Sequence, residues 1–195
     1  MTQAYPEYKA ENAGELTRLW VEQMVIGLNL CPFAAPEVRT ERLHYVVVKA
    51  DTEEQGYLGF LEELSNIAEA GEEEYSTSLM VFSQSLADFD DFLDFLSLAE
   101  EAIEQSGLSD VFQLASFHPR YCFEGVGQED LSNWTNRSPF PMLHLIREGQ
   151  MSRALASYSK PEEIPQRNMQ LLRELGREGL VKRFPPLASY WPAEV

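Results

Sequence analysis

The chain has 195 residues, with 32 Asp and Glu against 15 Lys and Arg, for a net charge of -17. Hydrophobic residues make up 44% and charged residues 24%, too apolar for a disordered chain, and no apolar run approaches the ~20 residues of a membrane helix. No basic-then-apolar leader is visible and two cysteines cannot build a disulfide framework, so composition predicts a single reduced, cytoplasmic domain.

The charge is unevenly spread. Residues 50–110 hold 17 acidic groups and no basic one, whereas the flanking segments are close to neutral. A phosphate backbone would be repelled from such a face, and the apolar runs are too short to span a bilayer, so neither nucleic acid nor membrane is expected as a partner. The run reads as a solvated acidic surface, or as a docking face for a basic protein through residues 51–110.

Residues 1–12 are polar and read as a flexible N-terminus. From Gly14 to Leu28 the residues Leu16, Leu19, Trp20, Met24, Val25 and Leu28 recur at helical spacing. Asn29-Leu-Cys31-Pro32-Phe33 ends that helix, because the residue before proline is pushed out of the α region. Pro36 predicts an irregular stretch after it. Leu43–Lys49 is β-branched and predicts a strand; Asp51–Glu69 predicts a helix with Leu58, Leu61, Leu64 and Ile67 on one face, ended by Gly71. Ser78–Ser83 predicts a second strand. Asp88 is placed to cap a long helix whose stripe is Phe89, Phe92, Leu93, Leu96, Ala99 and Ile103. Val111–Phe117 predicts a third strand. Residues 118–141 form a long loop with Pro119, Gly125, Gly127, Pro139 and Pro141, and loops of that length inside compact domains often bind or catalyse. Met142–Arg147 predicts a fourth strand, followed by helices near 150–158 and 163–175. Residues 184–195, with Phe184, Trp191 and three prolines, predict an extended arm.

Strands alternating with helices give an α/β fold. The expectation is one layered sheet of about four strands flanked by helices across residues 13–183. Strand order is not legible, and ferredoxin-like and three-layer arrangements both stay open.

Chemistry-bearing residues are few. Histidine occurs at 44, 118 and 144, and cysteine at 31 and 122. Cys31 follows a helix, where the macrodipole opposes a thiolate, so its activation needs a cation, a base or a metal. His118 lies just past the third strand, at the carboxyl end where α/β sheets place their sites. His144 lies within the fourth strand; alternation puts it on one face with Ile146, opposite Leu143 and Leu145. His44 reads as strand surface. Asn133, Asn136, Arg137 and Ser138 crowd one proline-bounded loop, where Arg137 could grip a carboxylate or phosphate or the group could simply be turn chemistry. No glycine-rich phosphate cradle or other nucleotide-cofactor motif is present.

The segments Gly27-Leu-Asn-Leu-Cys31-Pro-Phe33, Phe117-His118-Pro119, Thr135-Asn-Arg-Ser-Pro139, Leu143-His-Leu145 with Arg147-Glu148, and Ile164-Pro165 with Arg167-Asn168 together resemble a bacterial family of uncharacterised proteins, domain of unknown function 1415. The resemblance spans about residues 14–176. It implies roles for Cys31, His118, Asn136, Arg137 and His144, and none for Cys122; it implies no particular activity.

Three functional expectations follow. The first is an enzyme with a single zinc, iron or copper ion held by Cys31, His118 and His144, an open coordination position, and a small anionic substrate bound by Asn133, Asn136, Arg137 and Ser138. The second is metal-free thiol chemistry at Cys31 with a histidine base. The third is a binding module that uses the acidic face.

Overall fold

The protein is described here by a computed structural model covering residues 6–190, with side chains through Ala188. Helix α1 spans Ala13–Trp20 and runs on into a π-helical turn, Val21–Ile26. Asn29 then takes a left-handed conformation, which asparagine tolerates better than most residues, and Leu30 N–H turns back to Val25 O at 2.8 Å. Helix α2, Ala34–Arg39, occupies the stretch where Pro36 suggested irregularity. The proline lies in the first turn, where its missing N–H would have had no intrahelical partner, so it starts this helix without breaking it.

The rest follows the predicted order: β1 Leu43–Val48, α3 Glu53–Glu69, β2 Thr77–Phe82, α4 Phe89–Gln105, β3 Phe112–Phe117, β4 Met142–Arg147, α5 Glu148–Ser157 and α6 Ile164–Arg183. Asp88 caps α4, accepting from the N–H groups of Asp90 and Asp91. A short 3-10 helix, Leu131–Thr135, interrupts the long loop. The expected extended arm is instead a 3-10 helix over Pro185–Tyr190, with Phe184 and Leu187 fully buried; Trp191 and Pro192 lie outside the described residues. At the other end, Tyr8 stacks on Phe140 with ring centroids 5.0 Å apart and residues 10–12 form a 3-10 turn; residues 1–5 lie outside the description.

The sheet order is β1-β2-β4-β3. β1 and β2 pair in parallel, and β4 is antiparallel to both β2 and β3, so β1, β2 and β3 share one direction. Helices cover both faces, which resolves the open choice in favour of three layers. On one face α3 and α4 bury Phe60, Phe92 and Phe95 against Met80, Phe82, Leu143 and Leu145. On the other, α1 and α6 bury Leu16, Trp20 and Leu172 against Leu79, Val81 and Met142. Strand alternation feeds both cores from the same strands. The acidic run falls on α3, α4 and their connections, and the carboxylates of their outer faces are exposed. No helix is long and apolar enough to cross a membrane among the described residues.

Candidate active site

Cys31 stands between the Asn29 turn and α2. The turn is held from outside: Asn168 Nδ2 donates to Leu30 O at 2.6 Å, and the Arg167 guanidinium donates to Asn29 O. The Arg167-Asn168 pair at the start of α6 therefore sets where the sulfur goes. Burial pushes the Cys31 thiol above its ordinary value, while the N–H groups of Phe33 and Ala34 pull the other way. At neutral pH the group is a thiol.

His144 projects from β4 on the α1/α6 side, in phase with Met142 and Ile146 as its alternation predicts. Its Nε2 lies 2.6 Å from Thr77 Oγ1, and that hydroxyl donates to Leu145 O at 2.6 Å. A hydroxyl has one proton to give. With that proton on Leu145 O, Thr77 must accept from Nε2–H, which leaves the Nδ1 lone pair as the ring's open position. Nδ1 has no hydrogen-bond partner among the described residues. Burial holds His144 down at about 4, so the ring is neutral at physiological pH.

Cys31 and His144 line one cavity of about 340 Å³. Its walls are mostly apolar: Pro32, Phe33, Leu43, Ile146, Met151 and Ala154. Phe33 and Tyr158 close one side edge to face at 5.5 Å. Ser76, Thr77 and Gln150 form a polar floor, and Ser157 and Tyr158 also line the cavity. The N–H groups of Ser76 and Thr77 both point to Arg42 O, at 3.2 and 3.3 Å. Two consecutive residues opposite one carbonyl is the arrangement of a bulge, and it lets neighbouring side chains serve the same pocket. Ser76 Oγ donates to Gln150 Oε1 at 2.6 Å, which turns the Gln150 amide nitrogen away from Ser76. Glu37 is the one carboxylate on the wall; its Oε1 takes the Arg42 guanidinium at 3.2 Å and its Oε2 is buried without a partner. The described lining contains no Lys or Arg.

This cavity lies where β1 and β2 begin, at the amino ends of the parallel strands, opposite to the end the fold class suggested. Two broader hollows of about 540 and 710 Å³ flank the outer edge of β1, and neither contains Cys31, His118 or His144.

His118 is elsewhere. It follows β3 at the carboxyl end, on the α3/α4 face, fully buried between Phe89 and Phe92 at 5.1 Å from each ring. Its Nε2 donates to Leu86 O at 3.0 Å and its Nδ1 accepts from Arg120 N–H at 3.0 Å. Both ring nitrogens are spent on the backbone, leaving none for a metal. The structure thus does not bring Cys31, His118 and His144 together, and no three His, Cys, Asp or Glu side chains converge to hold a metal ion among the described residues.

The loop residues expected to grip substrate are also turned inward. Arg137 donates to Tyr121 O at 3.0 Å and Gln128 O at 2.6 Å, and lies over Trp134. Asn133, fully buried, donates to Gly127 O and accepts from Phe123 N–H. Asn136 donates to Ser116 O, and Ser138 to Phe140 O. Cys122 donates to Val126 O within the same loop. None of these side chains lines the Cys31 cavity. They hold a long connection in shape by satisfying its backbone, which is the turn chemistry such residues commonly perform.

Over residues 12–182 the chain matches the family described as "Protein of unknown function (DUF1415)". The chain belongs to this family. No curated protein and no solved structure matches it.

In the DUF1415 chain the segments that carried the family resemblance divide by place. Cys31 and His144 share the cavity and the Arg167-Asn168 pair holds the turn before Cys31, whereas His118 and the Thr135–Pro139 loop shape the opposite end. Sequence reasoning missed Thr77, Ser76 and Gln150. A lone threonine or serine at a strand start has no periodicity or motif; its importance arises only from the register that sets it diagonal to His144.

Proposed function

We propose that this protein is a cysteine-dependent enzyme acting on a small molecule in the cavity between α2, the sheet and α5. Cys31 is the nucleophile and His144 Nδ1 the base. The observation that supports this most is the chain His144 Nε2–H to Thr77 Oγ1 to Leu145 O, which fixes the one tautomer whose lone pair is available on a pocket shared with a thiol.

Both groups are neutral at rest, so the pair works as a hydroxyl nucleophile and histidine do. The sulfur bonds to an acyl carbon as the thiol proton passes to Nδ1. The leaving group departs with that proton, and water then cleaves the thioester. The apolar lining keeps both groups neutral at rest, because a neutral pair loses less on leaving water than an ion pair does. With no cation among the described lining residues and with Glu37 present, an uncharged substrate suits the pocket better than the small anion expected from Arg137.

The test is acylation by a small active ester, followed by peptide mass mapping. Cys31 should carry the acyl group, with the rate reduced about a hundredfold in His144→Ala and unaffected in Cys122→Ser. Circular dichroism should confirm that His144→Ala stays folded. Acylation of Cys31 no faster than that of a free thiol, or at the same rate without His144, would refute the proposal.

A further inference from the structure

The polar floor of the cavity has a specific hydrogen-bond sense. Ser76 donates to Gln150 Oε1, so the Gln150 Nε2–H₂ group remains a donor with no partner among the described residues. Thr77 accepts from His144 Nε2–H, so Nδ1 remains an acceptor. Adjacent hydroxyls on one strand start thus hold two side chains, each with its second polar group open, and both side chains line the same pocket. One group offers a proton and the other takes one.

A ligand that satisfies both must present an acceptor to Gln150 and a donor to His144 within one pocket. A carboxylate fails, because its lone pairs would face the Nδ1 lone pair and the Glu37 carboxylate shares the wall. An ester supplies the acceptor alone. An ammonium supplies the donor alone and leaves Gln150 unmet. A carboxamide or lactam supplies both, and its uncharged body suits the flanking Phe33, Leu43, Ile146 and Met151. The cavity volume of about 340 Å³ fits a molecule with one ring and a short substituent.

We infer that the pocket selects a small neutral amide, its carbonyl accepting from Gln150 Nε2–H and its amide N–H donating to His144 Nδ1. This deepens the proposal above and rests on it only for the location of the site. The amide N–H and the Cys31 thiol compete for the one Nδ1 lone pair, so this complex is a recognition state, in which Gln150 positions the carbonyl oxygen.

The experiment separates recognition from chemistry. Saturation-transfer NMR on Cys31→Ala protein measures binding of benzamide, benzoate and methyl benzoate, which share one ring and differ in the head group. Benzamide should bind about fivefold or more tightly than either analogue, because each lacks one complementary partner. In wild-type protein benzamide should slow alkylation of Cys31 by iodoacetamide. Gln150→Glu replaces the open donor by an acceptor at the same length and should weaken benzamide about fivefold. Equal binding of the three probes overturns the inference, as does benzamide binding undiminished in Gln150→Glu. If Gln150→Glu does not fold, the comparison of probes decides alone. Selective benzamide binding with no acyl transfer at Cys31 supports the head-group assignment and refutes the catalytic proposal. Acyl transfer without selectivity among the probes does the reverse.

Discussion

His118→Ala tests whether this histidine is a structural clasp. The ring is fully buried and joins two distant segments: Leu86 O, on a residue in the left-handed conformation, and Arg120 N–H. Truncation leaves both backbone groups unpaired, at ~1–3 kcal/mol each, and opens a gap between Phe89 and Phe92. The total is about 4 kcal/mol, which for a chain of this length lowers Tm by about 8–16 °C. A pH signature accompanies it. Burial holds folded His118 at about 4 against an ordinary 6.5. The unfolded chain therefore binds the proton first as pH falls, so the stabilisation is complete above pH 6.5 and is lost on acidification through the folded value. Between pH 7 and pH 5 that loss is about 2 kcal/mol. Urea unfolding of wild type and His118→Ala at the two pH values should give a gap of about 4 kcal/mol that narrows to about 2 kcal/mol. A gap below about 1 kcal/mol at pH 7, or one independent of pH, would refute the clasp. So would a stable variant that had lost Cys31 acylation, because His118 would then belong to the site.

Arg137→Ala should destabilise by about 2 kcal/mol by stranding Tyr121 O and Gln128 O; hydrogen exchange should rise across residues 119–130 while Cys31 labelling stays unchanged. Asn168→Ala strands the buried Leu30 carbonyl, at about 1–3 kcal/mol, and should speed Cys31 alkylation severalfold by releasing the turn that holds it. Thr77→Val keeps the shape but removes the acceptor for Nε2–H; the fold should survive, and acylation of Cys31 should fall roughly tenfold or more as the imidazole loses its fixed tautomer.

Local chemistry explains what the sequence made legible. The α4 stripe and its Asp88 cap, the β-branched Leu43–Val48 and the alternation around His144 are written in consecutive residues, and the structure follows them closely. The DUF1415 motifs were also readable, yet their partition between two ends of the molecule was not. His118 and His144 look equivalent in sequence, each rare and each on or beside a strand. What separates them is the face each side chain takes and the chain segments that cross it. Leu86 arrives from 32 positions away to take Nε2 of His118, and Thr77 from 67 to take Nε2 of His144. Pro36 misled for a simpler reason: proline breaks a helix interior but suits a first turn, and the boundary of so short a helix carries little signal.

The strand order has a consequence for how the molecule assembles. β4 is the last of the four strands to leave the ribosome, yet it occupies an interior position and alone joins β2 to β3. Until it arrives, β3 has no neighbour and β2 exposes an apolar margin, the kind of edge that recruits other chains. A nascent chain halted at residue 140 would hold three strands that cannot close into one sheet. His144, the base of the proposed pair, travels on that same late strand, so a chain halted there lacks it.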